Sequence, residues 1–271
     1  MLKVWLLPLL AVLGGAGGFF LRRWELAAAF EDTGLAVAWA PSSLALIALS
    51  VVMALALALL CRGAKREIKT YGDAFYAPGG RMCLAVSVLS AACLLVAAAS
   101  GFLTAMAVPQ GILNLLLWVL CAVSFFCVLA AAWGNYRAVS RKYSLPLLVP
   151  GYMACLWLVT AYQQRAAEPV VLVYLYELLA IICTLLGLYF AAAYSFEKGR
   201  LWRSAFFPLM GIYFSLVTLA DSHSRAFQLL YLFAILYQLA SVTTLLKNAF
   251  GPAPKRLASR ENNTQEVTPD E

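Results

Sequence analysis

Charge is scarce in this chain, and histidine is nearly absent. Only 12% of the 271 residues are Asp, Glu, Lys or Arg, and His223 is the single histidine. Soluble domains carry roughly a quarter charged residues, so this composition excludes a soluble globular enzyme. One histidine cannot supply bis-histidine haem ligation within the chain. No His-Glu-x-x-His run, Gly-x-Ser-x-Gly elbow, phosphate-cradling glycine loop or pair of intramembrane aspartates occurs either. The expectation is a protein with no enzyme activity, no cofactor and no metal. The seven cysteines form no Cys-x-x-Cys pair, lie within apolar runs or at their ends, and read as small buried hydrophobes.

What the chain has in abundance is apolar sequence. It is 63% hydrophobic, with a mean hydropathy of +0.83. Stretches of about 20 apolar residues, each long enough to cross a ~30 Å hydrocarbon core, recur along most of its length. Eight candidate spans are legible, at 4–21, 42–61, 82–106, 111–133, 145–163, 169–195, 201–221 and 226–248. The predicted fold is all-α: a polytopic bundle of about eight transmembrane helices forming one domain over 1–250. The polar, aperiodic segment 251–271 reads as a disordered tail. Arg22 and Arg23 directly follow the first run without a small-x-small cleavage site, so that run reads as a retained helix.

The net charge of +7 does not point to nucleic acid, because the basic residues sit in short clusters between apolar runs and form no basic face. With the N-terminus placed in the cytoplasm, sixteen of the twenty Lys and Arg residues fall on the cytoplasmic side. Only Arg22, Arg23, Arg165 and Arg225 fall outside. The positive-inside rule then places both termini in the cytoplasm. The layout suits a bacterial cytoplasmic (inner) membrane, with the lipid bilayer as the first partner. The longest connections are 22–41, where Trp24, Phe30 and Trp39 read as interfacial anchors and Asp32-Thr33-Gly34 as a turn, and 62–81, which reads as an ordinary loop. Ala130–Thr160 and Ala191–Thr218 share a hairpin pattern with a basic loop and a following proline, Pro150 or Pro208, a weak hint of parallel duplication.

Glu177 is the one charge that this reading places well inside a span. At 1.5 Å per residue from Pro169 it lies about 12 Å below the outer boundary. An intramembrane carboxylate is costly and is retained for a partner, a pathway or a switch. Helical spacing puts Tyr174, Glu177, Thr184, Ala191 and Ser195 on one stripe. The outer connections offer Arg165, Asp221, His223 and Arg225 as partners. The candidate ligand or proton site is therefore Glu177 with Tyr174, Thr184, Arg165, Asp221, His223 and Arg225. Asn114 and Gln238 read as interhelical hydrogen-bonding amides. Gly14 and Gly18 form a Gly-x-x-x-Gly spacing that lets another helix approach, within the chain or in a second copy. Two functions follow from different classes. One is a transport or sensing component with a proton, cation or ligand site at Glu177. The other is an accessory or scaffold protein that docks a partner membrane protein, or a second copy, through Gly14 and Gly18.

Overall fold

The structure, a computed structural model, describes residues 2–29, 37, 39–62, 68–107, 111–138, 144–166 and 170–251. The Asp32-Thr33-Gly34 turn and the tail after Gly251 lie outside the described residues. Among those described, all regular structure is helical: α1 (Leu2–Ala28), α2 (Pro41–Leu60), α3 (Tyr71–Phe75), α4 (Arg81–Ala107), α5 (Ile112–Arg137), α6 (Ser144–Arg165), α7 (Leu175–Ala193), α8 (Leu201–Thr218) and α9 (Arg225–Phe250). Two short 3-10 turns flank α7, at Val171–Val173 and Tyr194–Phe196.

Seven of these helices are long and apolar enough to cross a membrane: α1, α2, α4, α5, α6, α7 with its following turn, and α9. The arrangement fits a multi-pass membrane protein. Leu55, Leu103 and Phe126 are among the large apolar side chains that point outward, as a surface facing hydrocarbon requires. The run read at 201–221 forms α8, whose 18 residues reach about 27 Å at 1.5 Å per residue. Pro208 through Ser215 are buried without a break, so other helices and not lipid surround that stretch.

The helices α4 to α9 close into a ring in which each packs on the next and α9 returns to α4. Outside the ring, α1 packs on α8 and α9, and α2 packs on α1 and α8. At one end of the bundle α1, α4, α6 and α8 finish while α5, α7 and α9 begin. Charged side chains meet there. The opposite end is closed by α3, a short helix inside the segment that the sequence presents as a plain loop. Thr70 caps it by accepting the Asp73 amide, and Asn248 of α9 donates to the carbonyls of Ala74 and Tyr76.

Two boundaries differ from the apolar runs, and both differences build the charged end. The first helix continues past residue 21 to Ala28, which makes Arg22 and Glu25 helical and places them on its buried face. The seventh begins at Leu175, because Val171–Val173 forms a 3-10 turn first. Glu177 consequently lies in the first turn of α7. Packing by neighbouring helices buries it.

Candidate functional site

Glu177 is 7% exposed and is held from three directions. Its Oε2 accepts Arg165 Nε at 3.2 Å from the last residue of α6. Its Oε1 accepts the Tyr231 hydroxyl at 3.2 Å from α9, and His223 Nδ1 lies 3.9 Å from the same oxygen. The His223 ring packs on Tyr231 at 5.0 Å, and Tyr231 packs on Trp157 at 4.9 Å. A helix N-terminus also favours a carboxylate in its first turn, since the first amides there lack intrahelical acceptors.

A second charged group adjoins this one. Arg22 is fully buried, and its guanidinium uses three nitrogens. Nε donates to Asp221 Oδ1 at 2.7 Å and Nη1 to Glu25 Oε2 at 2.7 Å. Nη1 and Nη2 donate to the carbonyls of Leu172 and Val173 at 3.3 and 2.6 Å. Tyr176 offers its ring to the cation at 5.2 Å. The 3-10 turn before α7 thus exists in a setting that turns two carbonyls onto one guanidinium.

Across the two groups three carboxylates (Glu25, Glu177, Asp221) face two guanidiniums (Arg22, Arg165). Among the described residues of these two groups, one negative charge is left over while His223 is neutral. Burial pushes the Asp221 carboxyl above its usual range against the pull of Arg22. Burial also pushes the His223 imidazole down, with Arg165 acting in the same direction and Asp221 opposing. A neutral His223 beside Glu177 and Asp221 is therefore the favoured state near neutral pH.

A cavity of about 440 Å³ opens onto Glu177. Its walls come from the ends of α4 (Thr104) and α5 (Asn114, Trp118), from Gln164 and Arg165, and from His223 and Phe227. Trp118 and Phe227 are in ring contact at 5.4 Å. Gln164 donates to Asn114 at 3.3 Å across the opening. Chemically, the cavity joins one carboxylate, one partly exposed guanidinium, neutral amides and two aromatic walls. Among the described residues, no group of three or more His, Cys, Asp or Glu could hold a metal ion.

Of the residues singled out in the sequence, the structure brings Glu177, Arg165, Asp221 and His223 into this end. Tyr174 directly precedes α7 and accepts the Leu178 amide through its carbonyl, while Tyr231 takes the position on the carboxylate. Thr184 is buried two turns further along α7, where it accepts Gln238 Nε2 at 2.8 Å. Arg225 opens α9 with an exposed side chain, outside the cavity lining. Gly14 and Gly18 face the chain's own helices. A Cβ at Gly14 would come 2.5 Å from Met53 of α2, and one at Gly18 would come 2.6 Å from Val217 of α8. Both therefore serve close packing within the chain. Asn114 and Gln238 make the interhelical bonds expected of them, to Gln164 and Thr184.

Four residues of this end escape a sequence reading: Arg22, Glu25, Tyr176 and Tyr231. The i, i+3 spacing of Arg22 and Glu25 is an ion-pair signal, provided that the helix is carried past the apolar run. Tyr176 and Tyr231 sit in apolar surroundings and give no signal of their own. No protein-family model matches the chain, and no curated protein or solved structure matches it either.

Proposed function

We propose that this chain is a transport or sensing component of a membrane, with the Glu177 cavity as its site for a proton, a cation or a small ligand. The observation that carries the reading is the cavity, which reaches a buried carboxylate in a cluster with one negative charge left over. Its volume falls in the range of small-molecule sites, about 300–1,000 Å³. Further polar groups continue along the inside of the ring from Glu177. Thr184 and Gln238 come first, then Ser87, Asn135 and Ser241, which line a smaller cavity of about 30 Å³ beneath α3. A coupled proton or cation path needs such groups at intervals through the bundle. The docking alternative has no comparable support, since Gly14 and Gly18 are covered within the chain.

The orientation proposed with this function follows the basic residues. Both termini and α3 face the cytoplasm, α8 is the eighth span, and the Glu177 cavity opens on the opposite side of a bacterial cytoplasmic membrane. The test is proton flux in proteoliposomes loaded with a pH-sensitive dye. Wild type is expected to dissipate an imposed pH gradient and Glu177→Gln to hold it, while both proteins keep the same elution profile in detergent. A Thr104→Cys variant should react with an impermeant thiol reagent faster than wild type. Equal leak from wild type and Glu177→Gln, together with an unreactive Thr104→Cys, would return the docking reading to first place.

A further inference from the structure

The two guanidiniums at the charged end are bound in different ways, and the difference bears on what the cavity takes. Arg22 uses three nitrogens and is fully buried. Among the described residues Arg165 meets its carboxylate through Nε only, at 3.2 Å, and keeps 27% of its side chain exposed. It is the last residue of α6, so a change of rotamer swings its head out of the cavity without moving a helix. Glu177 cannot follow it. The carboxylate stays anchored by the Tyr231 hydroxyl behind it and by its place in the first turn of α7.

We propose that the cavity binds a small organic cation with a hydrogen-bonding head, an ammonium or guanidinium group, and that Arg165 occupies the head's position on Glu177 until the ligand replaces it. This rests on the reading of the cavity as a ligand site and names its ligand class. Charge selects a cation, because among the described residues three carboxylates already outnumber two guanidiniums and exchanging Arg165 for another cation conserves the balance. The walls select an organic one. Trp118 and Phe227 give aromatic surface beside the carboxylate, where a cation gains quadrupole attraction and an apolar stem gains burial. A bare metal ion would find one carboxylate and no second anionic ligand in the lining. The volume of about 440 Å³ leaves room for a stem as well as a head.

A tethered competitor makes a specific signature. Ligand affinity is reduced by the fraction of time that Arg165 holds the carboxylate, so removing the competitor strengthens binding. The experiment is a thermal-shift titration of the purified full chain in detergent with ethylguanidinium, against sodium at equal ionic strength. Wild type is expected to be stabilised by ethylguanidinium and not by sodium. Arg165→Gln is expected to reach half-effect at about a tenfold lower concentration, for a carboxylate occupied by Arg165 about nine-tenths of the time. Glu177→Gln is expected to lose the shift. If Arg165→Gln does not fold, Arg165→Lys keeps a tethered charge and still tests the idea, with a half-effect within about threefold of wild type.

Each other outcome counts against the proposal. Weaker ethylguanidinium binding by Arg165→Gln would make Arg165 part of the binding surface and not its placeholder. A shift with the organic anion ethylsulfonate, lost in Arg165→Gln, would overturn the cation assignment while leaving the cavity as a ligand site. No shift with either ion, alongside an unreactive Thr104→Cys, would remove the ligand site and the proposal together.

Discussion

Arg22 and Arg165 lie at the same end of the bundle and both pair with carboxylates, yet one group is built as a clamp and the other as a vestibule. The clamp joins distant parts of the chain. Through Arg22, α1 is tied to the turn before α7 and to the α8–α9 connection, and Arg22 is not in the lining of the Glu177 cavity. The vestibule joins α6, α7 and α9 around Glu177 and opens to a cavity. A buried charge bonded through all three of its nitrogens is a structural device whose removal leaves its partners stranded. A carboxylate with one exposed, single-bonded partner can exchange that partner. Burial alone does not separate structure from function here, since Glu177 and Arg22 are both buried. The number of bonds on the cation among the described residues does.

The largest expected effect tests the clamp. Arg22→Ala leaves Glu25 and Asp221 facing each other across a buried space, and breaking a buried pair in this way costs about 3–5 kcal/mol. Arg165→Ala should cost less, because Arg165 is partly exposed and, among the described residues, meets Glu177 through one nitrogen only. Unfolding of both variants in detergent by urea or sodium dodecyl sulfate, with wild type alongside, measures the gap. Equal losses would erase the distinction between the two guanidiniums.

A smaller effect comes from the seat of α1. Gly18 lets α1 lie against Val217 and Tyr213 of α8, four residues before Arg22 in the sequence. Gly18→Leu would force the two helices apart and draw Arg22 away from Asp221, at a cost of about 1–3 kcal/mol for overpacking. Gly17→Leu is the control, since a Cβ there meets only Leu49 at 4.0 Å, and it should be near neutral. If the two variants unfold alike, the clamp does not depend on close approach of α1 and α8.

The helices were legible because span length and hydropathy are properties of single segments. Each of the eight apolar runs became a helix, and the inward stripe of α7 could be drawn from spacing, with Glu177, Thr184 and Ala191 all buried. Glu177, Arg165, Asp221 and His223 could be grouped because topology alone brings their connections to one end. The clamp was not legible, for two reasons. Arg22 looks like a charge that closes a span, and only the extension of α1 to Ala28 makes it a core residue. Its partners at positions 172, 173 and 221 are more than a hundred residues away, and no local pattern encodes that proximity. The start of the helix that carries Glu177 is illegible for a related reason. Hydropathy runs continuously through Val170–Val173, whereas the backbone there takes a 3-10 turn and starts the helix later. Tyr231 on the carboxylate, in place of Tyr174, is likewise a matter of which helix lies across the ring.

The smallest effect concerns protonation, and it sharpens the contrast most. His223 lies in the α8–α9 connection, faced by Asp221, Arg165, Glu177 and the Tyr231 ring. Burial, aided by Arg165, holds its pKa below the ordinary 6.5. The unfolded chain therefore binds a proton in a window where the folded chain does not. The resulting stability is complete above pH 6.5 and is lost as pH falls from there toward the lowered native value. Asp221 acts in the opposite sense, because its raised pKa gives stability that is lost as pH rises from 3.8 toward the native value. The melting temperature of wild type should thus fall between pH 7 and 5.5, by at most about 1.4 kcal/mol of stability per pH unit for one proton. His223→Gln should flatten that slope. Arg22→Lys, which keeps the clamp's charge, should leave it unchanged. A wild-type protein that instead gains stability on acidification, with the gain lost in His223→Gln, would mean that His223 takes up its proton in place and pairs with Glu177 3.9 Å away. The vestibule would then carry its own internal cation, and an incoming ligand would compete with His223 as well as with Arg165.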